Sequence, residues 1–496
     1  MIKIIVENNI NCCIDTLLPL DVLQDISMAC SFELAGSEHS PKVVSGVWDG
    51  YINLFKEKTQ RFPAGLLSQV AAVLQTHKID YSIEDKRTAP NYKIQAYDLV
   101  DVCFYAFQKT AIETALKKQR GIIHVATGGG KSVIIAALCL ALSDLNVCIF
   151  VHRNTLMRQL ETLLNKNGVS VGIVGDGEKR IRKINICSFQ TILHNHRGGT
   201  VKLTQKNVEK MIHKDHLKLI RDAEVLIVDE SHHISANLFK FVTSLTTNAF
   251  FRFGFSATPY REDGRELLLH SGLGKTIVKH TPSNLIQLGI LEKPNVIFIK
   301  VPKFPGLGRD YRKAYKKAIV ENSLRNEMIV QAAVGVCKKN KTCLIAVKEI
   351  KHGQILFELL QGVLPNKKIT YVTGASGDGV KKLEILAELN NRKLDIVIAT
   401  TVFGEGVDVP TLGVLINAKG GASKIDTLQL CGRVLRKAKN YSKKPVIIDF
   451  YDTTTPYLAK HARTRLSTLT EEAEFIITKL DTITKLEEKL VNVYGV

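Results

Sequence analysis

The chain is poor in the features that mark special environments. It has one tryptophan and five methionines in 496 residues, no Cys-x-x-Cys pair, and no apolar run longer than the ten residues Val133–Leu142. Ten residues are half of the roughly 20 that a membrane-spanning helix needs, so a membrane partner is excluded. The N-terminal stretch Met-Ile-Lys-Ile-Ile-Val-Glu lacks the long apolar core of a secretory signal, and a soluble cytoplasmic protein is expected. The ten cysteines are scattered, the closest being Cys12 and Cys13. That spacing indicates neither a disulfide framework nor a zinc site. Solenoid repeats and low-complexity tracts are also missing.

What is present is ordinary globular composition, 45% hydrophobic and 23% charged, with ample material for a core. At roughly 150 residues per domain, the length suggests about three domains. The net charge is +20, and its distribution is informative. Residues 1–95 carry −2, residues 96–290 carry +9, residues 291–452 carry +13 and residues 453–496 carry 0. The excess sits in the body of the protein and not in a tail, which points to a polyanionic partner.

Short apolar runs alternate with helix-length segments from about residue 120. Ile122–Ala126, Val147–Val151, Ile184–Ser188, Val225–Val228 and Phe251–Phe255 form one series. Cys343–Val347, Ile369–Val372, Ile396–Ala399, Val414–Asn417 and Val446–Phe450 form a second. Near-continuous apolar strands separated by helices predict parallel sheets covered on both faces, hence an α/β fold with two lobes, 96–290 and 291–452. Residues 1–95 read as a small α+β module. Residues 453–496 read as helical, with apolar residues three or four apart from Phe475 to Val491.

The first lobe carries a phosphate-binding signature. Ile122-Ile123-His124-Val125-Ala126 runs into Thr127-Gly128-Gly129-Gly130-Lys131-Ser132 and then an apolar helix. Glycines let backbone N–H groups face phosphate oxygens, Lys131 neutralises the β and γ oxygens, and Ser132 offers a hydroxyl to Mg²⁺. Val125 departs from the usual pattern by standing where the first glycine is expected. About 100 residues on, Val225–Val228 ends in Asp229-Glu230-Ser231-His232. Asp229 is placed to hold Mg²⁺, and Glu230 to orient or deprotonate the attacking water. ATP and Mg²⁺ are the expected cofactors.

The order of these motifs resembles that of the superfamily 2 helicases. Glycine loop, Asp-Glu-x-His and Ser256-Ala257-Thr258 are followed by Gly404-Glu405-Gly406-Val407-Asp408 and by Gln429-Leu430-Cys431-Gly432-Arg433-Val434-Leu435-Arg436. The resemblance implies two tandem RecA-like parallel-sheet lobes behind the N-terminal module. It also implies that Arg433 and Arg436, three apart on an expected helix, stabilise charge on the triphosphate, with Gln429 near the γ-phosphate. Gln108, after Phe107, stands where the family reads adenine, and Asp408 where it contacts the ribose, with Glu405 beside it. Thr127, Gly128, Gly129 and Gly130 complete the nucleotide set. Val151-His152-Arg153-Asn154 and Ser188-Phe189-Gln190-Thr191 match motifs that border the nucleic-acid track.

Val47-Trp48-Asp49-Gly50 and Arg61-Phe62-Pro63-Ala64-Gly65-Leu66 resemble the N-terminal domain of UvsW-type phage branch-migration helicases. Arg261-Glu262-Asp263 is similar to a triplet of the XPB-type repair translocases. These resemblances imply a motor on double-stranded or branched DNA, working with recombination or replication proteins. A restriction-system motor subunit and an RNA helicase are the alternatives.

Overall fold

The computed structural model describes all residues except 1, 35, 153, 193–211, 231–235, 259–265, 309, 374–378, 401–408, 439–442 and 496, and the side chains of 236–237 and 379–383. The described residues form two compact units. One comprises 1–125 and 130–279, the other 126–129 and 280–496.

The N-terminal module of the first unit holds strands β1 (Ile2–Val6), β2 (Asn11–Ile14), β3 (Ser31–Glu33), β4 (Tyr51–Asn53), β5 (Arg61–Pro63) and β6 (Tyr81–Asp85). Its main sheet runs β5-β2-β1-β6, and β3 pairs with β4 in a small separate ribbon. Helices Leu20–Ala29 and Leu67–Thr76 cover it through Val22, Ile26, Val70 and Leu74. Trp48 donates its indole N–H to the Tyr51 carbonyl at 2.8 Å, and Asp49 Oδ1 accepts from the Tyr51 N–H at 2.9 Å. With Gly50 at φ +87°, this segment is a turn, as Asp-Gly suggests. The module is seated on helix Glu266–Leu273, where the carbonyls of His270 and Ser271 fill the space a Cβ on Gly65 would need.

The large sheet of this unit comprises β7 (Arg120–Val125), β8 (Val147–Val151), β9 (Val171–Gly175), β10 (Glu178–Arg180), β11 (Ile184–Ser188), β12 (Val225–Val228), β13 (Phe251–Ser256) and β14 (Thr276–His280). Their order is β10-β9-β11-β8-β12-β13-β7-β14. The inner strands pair in parallel and are buried along their whole length, which is why they read as unbroken apolar runs. One exception is Arg252 on β13, 1% exposed. Its guanidinium donates to the carbonyls of Ala249 (3.0 Å), Thr243 (2.9 Å) and Thr246, at the C-terminal end of helix Ala236–Leu245. A cation at that pole meets carbonyls that no helical N–H reaches.

The second unit contains β15 (Asn295–Lys300), β16 (Cys343–Ala346), β17 (Ile369–Val372), β18 (Ile396–Ala399), β19 (Val414–Asn417), β20 (Val446–Tyr451) and β21 (Ile476–Leu480). These form one parallel sheet in the order β17-β18-β16-β19-β20-β15-β21. Its core joins Ile345, Ile398, Ile416 and Ile448 to helix Ser323–Lys338. Two buried ion pairs tie helices to β20 and the residue after it: Arg325 Nε to Asp452 at 2.8 Å and Arg465 to Asp449 at 2.9 Å.

The fold is therefore α/β, with two parallel-sheet RecA-like lobes and a small α+β N-terminal module. The all-helical reading of the C-terminus is corrected. Helix Pro456–Thr470 is followed by β21, which pairs in parallel with β15, and then by helix Leu486–Tyr494. Ile476-Ile477-Thr478 is β-branched, and the open edge of β15 selects the extended state over a periodicity that suits either.

Candidate functional site

β7 enters the glycine loop with Val125 fully buried in the sheet, so the residue at the missing glycine position belongs to the core. Gly128 and Gly130 adopt φ +90° and +83°, the left-handed region that glycine reaches without a Cβ penalty. Gly129 N–H closes onto the Ala126 carbonyl at 3.0 Å. Helix Lys131–Ala141 then begins with no side-chain cap, a start that suits an anion. Gln108 is buried in helix Ala106–Lys118, and its Oε1 accepts the Tyr105 N–H at 3.0 Å. Its Nε2 lies 2.5 Å from where a Cβ on Gly130 would sit. The expected base-reading residue thus braces the glycine loop through its amide end.

β12 delivers the two carboxylates. Asp229 is 3% exposed and Glu230 8%. The Asp229 N–H donates to the Phe150 carbonyl at 2.9 Å, and Asp229 Oδ1 accepts the Glu230 N–H at 3.0 Å. Glu230 stands at φ +46°, a conformation uncommon for a side-chain-bearing residue and found where surrounding structure enforces it, often at functional sites. Its Oε1 lies 3.1 Å from Lys131 Nζ. Its Oε2 faces the Ala257 N–H at 3.5 Å, so the turn after β13 joins the cluster. There Ser256 Oγ accepts the Thr258 N–H at 3.1 Å.

The site fits a nucleotide with its metal. A glycine cradle, an uncapped helix start and a lysine suit phosphates. Mg²⁺ is usually held by one or two carboxylates together with substrate phosphates, and Ser132 with Asp229 is a donor set of that kind.

Within the second unit itself, Gln429 is 5% exposed on helix Lys424–Cys431. The expected common helical face for Arg433 and Arg436 is corrected. The helix ends at Cys431 with Gly432 at its cap, and the N–H groups of Arg433 and Val434 tighten onto the carbonyls of Leu430 and Cys431. Arg433 lies in this turn, whereas Arg436 forms an antiparallel bridge with Leu291. Glu405 and Asp408 lie outside the described residues, as do Arg153, Ser231, His232, Arg309 and the Arg261-Glu262-Asp263 triplet. Two basic clusters in the sequence, Lys179, Arg180, Arg182 and Lys183, and Arg309, Arg312, Lys313, Lys316 and Lys317, are candidates for contact with a polyanion. They are partly neutralised internally: Lys179 pairs with Asp215, Arg180 with Glu161 and Lys317 with Glu321.

Sequence reasoning passed over His124. It is 4% exposed on β7 and its Nε2 lies 2.9 Å from the Ala257 carbonyl. A polar residue inside an otherwise apolar strand that feeds a phosphate loop was the available signal.

Fold and site define a two-lobed P-loop motor core. The profile described as "Type III restriction enzyme, res subunit" matches residues 101–261, and that of the helicase conserved C-terminal domain matches residues 325–438. Helicase 22 of the Sulfolobus islandicus filamentous virus is 26% identical over 66% of this chain and 60% of its own length. The ATP-dependent DNA helicase uvsW of Enterobacteria phage T4 is 25% identical over 82% of both chains. The DNA 3'-5' translocase XPB2 of Sulfurisphaera tokodaii is 24% identical over 67% of this chain and 78% of its own. Helicase-type profiles thus match segments of both lobes, and the chain resembles the superfamily 2 helicases of the UvsW type, with a further similarity to XPB. An ATP-dependent helicase or translocase role follows. Among the described residues no helix is long and apolar enough to cross a membrane.

Proposed function

We propose that the protein is an ATP-driven translocase on double-stranded or branched DNA that regresses forks, migrates Holliday junctions and unwinds displacement or R-loops in cytoplasmic recombination, repair and replication restart. The observation that carries this reading is the likeness to the phage T4 DNA helicase over 82% of both chains. The name of XPB2 and the positive charge of residues 96–452 support it.

In this reading Thr127–Gly130, Lys131 and Gln108 hold ATP, joined by Glu405 and Asp408. Ser132 and Asp229 hold Mg²⁺, which neutralises phosphate charge when bound. Glu230 orients and deprotonates the attacking water, and Gln429, Arg433 and Arg436 stabilise the transferring phosphoryl group. Residues 1–95 act as the DNA-binding accessory domain and 96–290 as the ATP-binding lobe. Residues 291–452 are the second motor lobe, and 453–496 extend it. Contacts to the phosphate backbone dominate DNA affinity, which is then salt-sensitive and nearly sequence-independent.

The test is ATPase rate with single-stranded DNA, linear duplex, forked duplex, four-way junction and structured RNA, with junction dissociation followed by gel and Lys131→Ala as control. Branched DNA stimulates the wild type and is dissociated only with ATP. Stimulation by RNA alone, with junctions left intact, overturns the substrate and leaves an RNA helicase. A second reading, the motor subunit of a restriction system, is favoured by the description of the profile over residues 101–261. ATP-dependent cleavage of plasmid DNA would establish it.

A further inference from the structure

β7 lies beside β13, and the register sets His124 against Ser256. From there the imidazole reaches one residue further, to the Ala257 carbonyl at 2.9 Å. A carbonyl only accepts, so Nε2 carries the proton and Nδ1 the lone pair. Burial pushes the His124 pKa down to about 4, which keeps the ring neutral and this tautomer in place near neutral pH. The same Ala257 presents its N–H to Glu230 Oε2, and Glu230 Oε1 pairs with Lys131.

These contacts close a ring. The chain leaves His124, passes through the glycine loop and arrives at Lys131. Lys131 holds Glu230, Glu230 faces the Ala257 N–H, and the Ala257 carbonyl returns to His124. Both ends of the phosphate loop are thus tied, through the backbone of Ala257 and one carboxylate, to the ends of β13 and β12. The N–H and the carbonyl of Ala257 belong to successive peptides that share its Cα, so the hydrogen bond from His124 fixes the Ala257–Thr258 peptide and limits movement of the Cα next to the N–H that faces Glu230.

We infer that His124 is a positioning residue for ATP hydrolysis, anchoring the backbone at Ala257 so that Glu230 keeps the orientation its work on water requires. This rests on the reading of Glu230 as the water-activating carboxylate. It also makes His124 a link between the loop that grips phosphates and the Ser256–Thr258 turn, so the turn senses how the loop sits. The imidazole touches neither nucleotide nor water in this scheme; its effect is on rate and not on nucleotide affinity.

The experiment compares His124→Leu, His124→Asn and His124→Gln with Glu230→Gln in DNA-stimulated ATPase assays, with thermal unfolding as a fold check. Glutamine can set its Nε2–H where the imidazole N–H stands, whereas the shorter asparagine cannot and leucine has no donor. The expected result is a kcat lowered roughly tenfold in the leucine and asparagine variants, the scale of one lost buried hydrogen bond. KM for ATP stays within about twofold, and glutamine recovers kcat to within about threefold of wild type. If leucine prevents folding, the asparagine–glutamine pair decides alone. Wild-type kcat in the asparagine variant, an equal loss with glutamine, or a loss confined to KM overturns the role of His124. Wild-type turnover in Glu230→Gln instead removes the reading on which it rests, so the two failures are told apart.

Discussion

The Nζ of Lys131 and the Oε1 of Glu230 lie 3.1 Å apart, with side chains only 12% and 10% exposed. The cation of the phosphate loop and the carboxylate at the end of β12 therefore hold one another, and each variant exposes a different part of the site. Glu230→Gln keeps an acceptor toward the Ala257 N–H and loses the charge. Its ATP turnover is expected to fall at least ~100-fold, the scale of a lost general base, with nucleotide binding retained. Lys131→Ala should abolish turnover and weaken nucleotide binding while leaving DNA binding largely intact. Steady-state ATPase assays with a fluorescent-nucleotide titration check both; wild-type turnover in Lys131→Ala would refute the phosphate-loop assignment.

Arg252 is satisfied by main-chain carbonyls instead of a carboxylate. Arg252→Met keeps much of the volume and leaves several buried carbonyls without a donor. Its expected cost is about 3 kcal/mol or more, since each orphaned buried group costs about 1–3 kcal/mol. Chemical denaturation followed by loss of nucleotide binding measures it. A change below 0.5 kcal/mol, on the order of a surface substitution, would show that water replaces the guanidinium.

In the second lobe Arg465 donates to Asp449, to the Phe450 carbonyl at 2.8 Å and to the Gly421 carbonyl at 2.6 Å, while Asn417 donates to Asp449 at 2.7 Å. Removing one charge strands the other: Asp449→Asn should destabilise by about 3–5 kcal/mol. The double variant Arg465→Met/Asp449→Leu should cost less than that single one, because no buried charge is left alone. Denaturation midpoints of the three proteins decide it.

Acid should loosen the protein before the carboxylates titrate. His352 is buried with Nε2 3.0 Å from Asn326 Oδ1, and burial pushes its pKa down to about 3, as it pushes His124 to about 4. An unfolded histidine titrates near 6.5, so below that pH the unfolded chain binds protons that the folded chain refuses. The contribution of the neutral rings is complete above about pH 6.5 and is lost as pH falls through the folded values. The thermal midpoint should drop between pH 7 and 4.5, and His352→Gln should make that drop shallower. An unchanged slope in the variant would remove His352 as a source.

Ten strands were legible because a strand buried on both faces must be apolar throughout, and Val225–Val228 and Ile396–Ala399 appear within the limits their side chains announce. β9 and β15 are no less apolar, as Val171-Gly172-Ile173-Val174-Gly175 and Val296–Ile299 show. They fall between motifs that gave them no context. β21 was misread because Phe475–Val491 fits a helical period as well as a strand, and the deciding contact with β15 is remote in sequence.

The sequence by itself determined which groups are candidates: Lys131, Ser132, Asp229 and Glu230 stand out by residue type and spacing, because a phosphate and its Mg²⁺ call for such groups at strand ends. Tertiary structure decided which groups meet. That Lys131 finds Glu230, that His124 reaches the Ala257 carbonyl, and that Arg433 and Arg436 leave the helix all depend on which strands are neighbours and where a glycine cap stops a helix. Distances between residues far apart in the chain are set by packing, and local sequence carries no record of them.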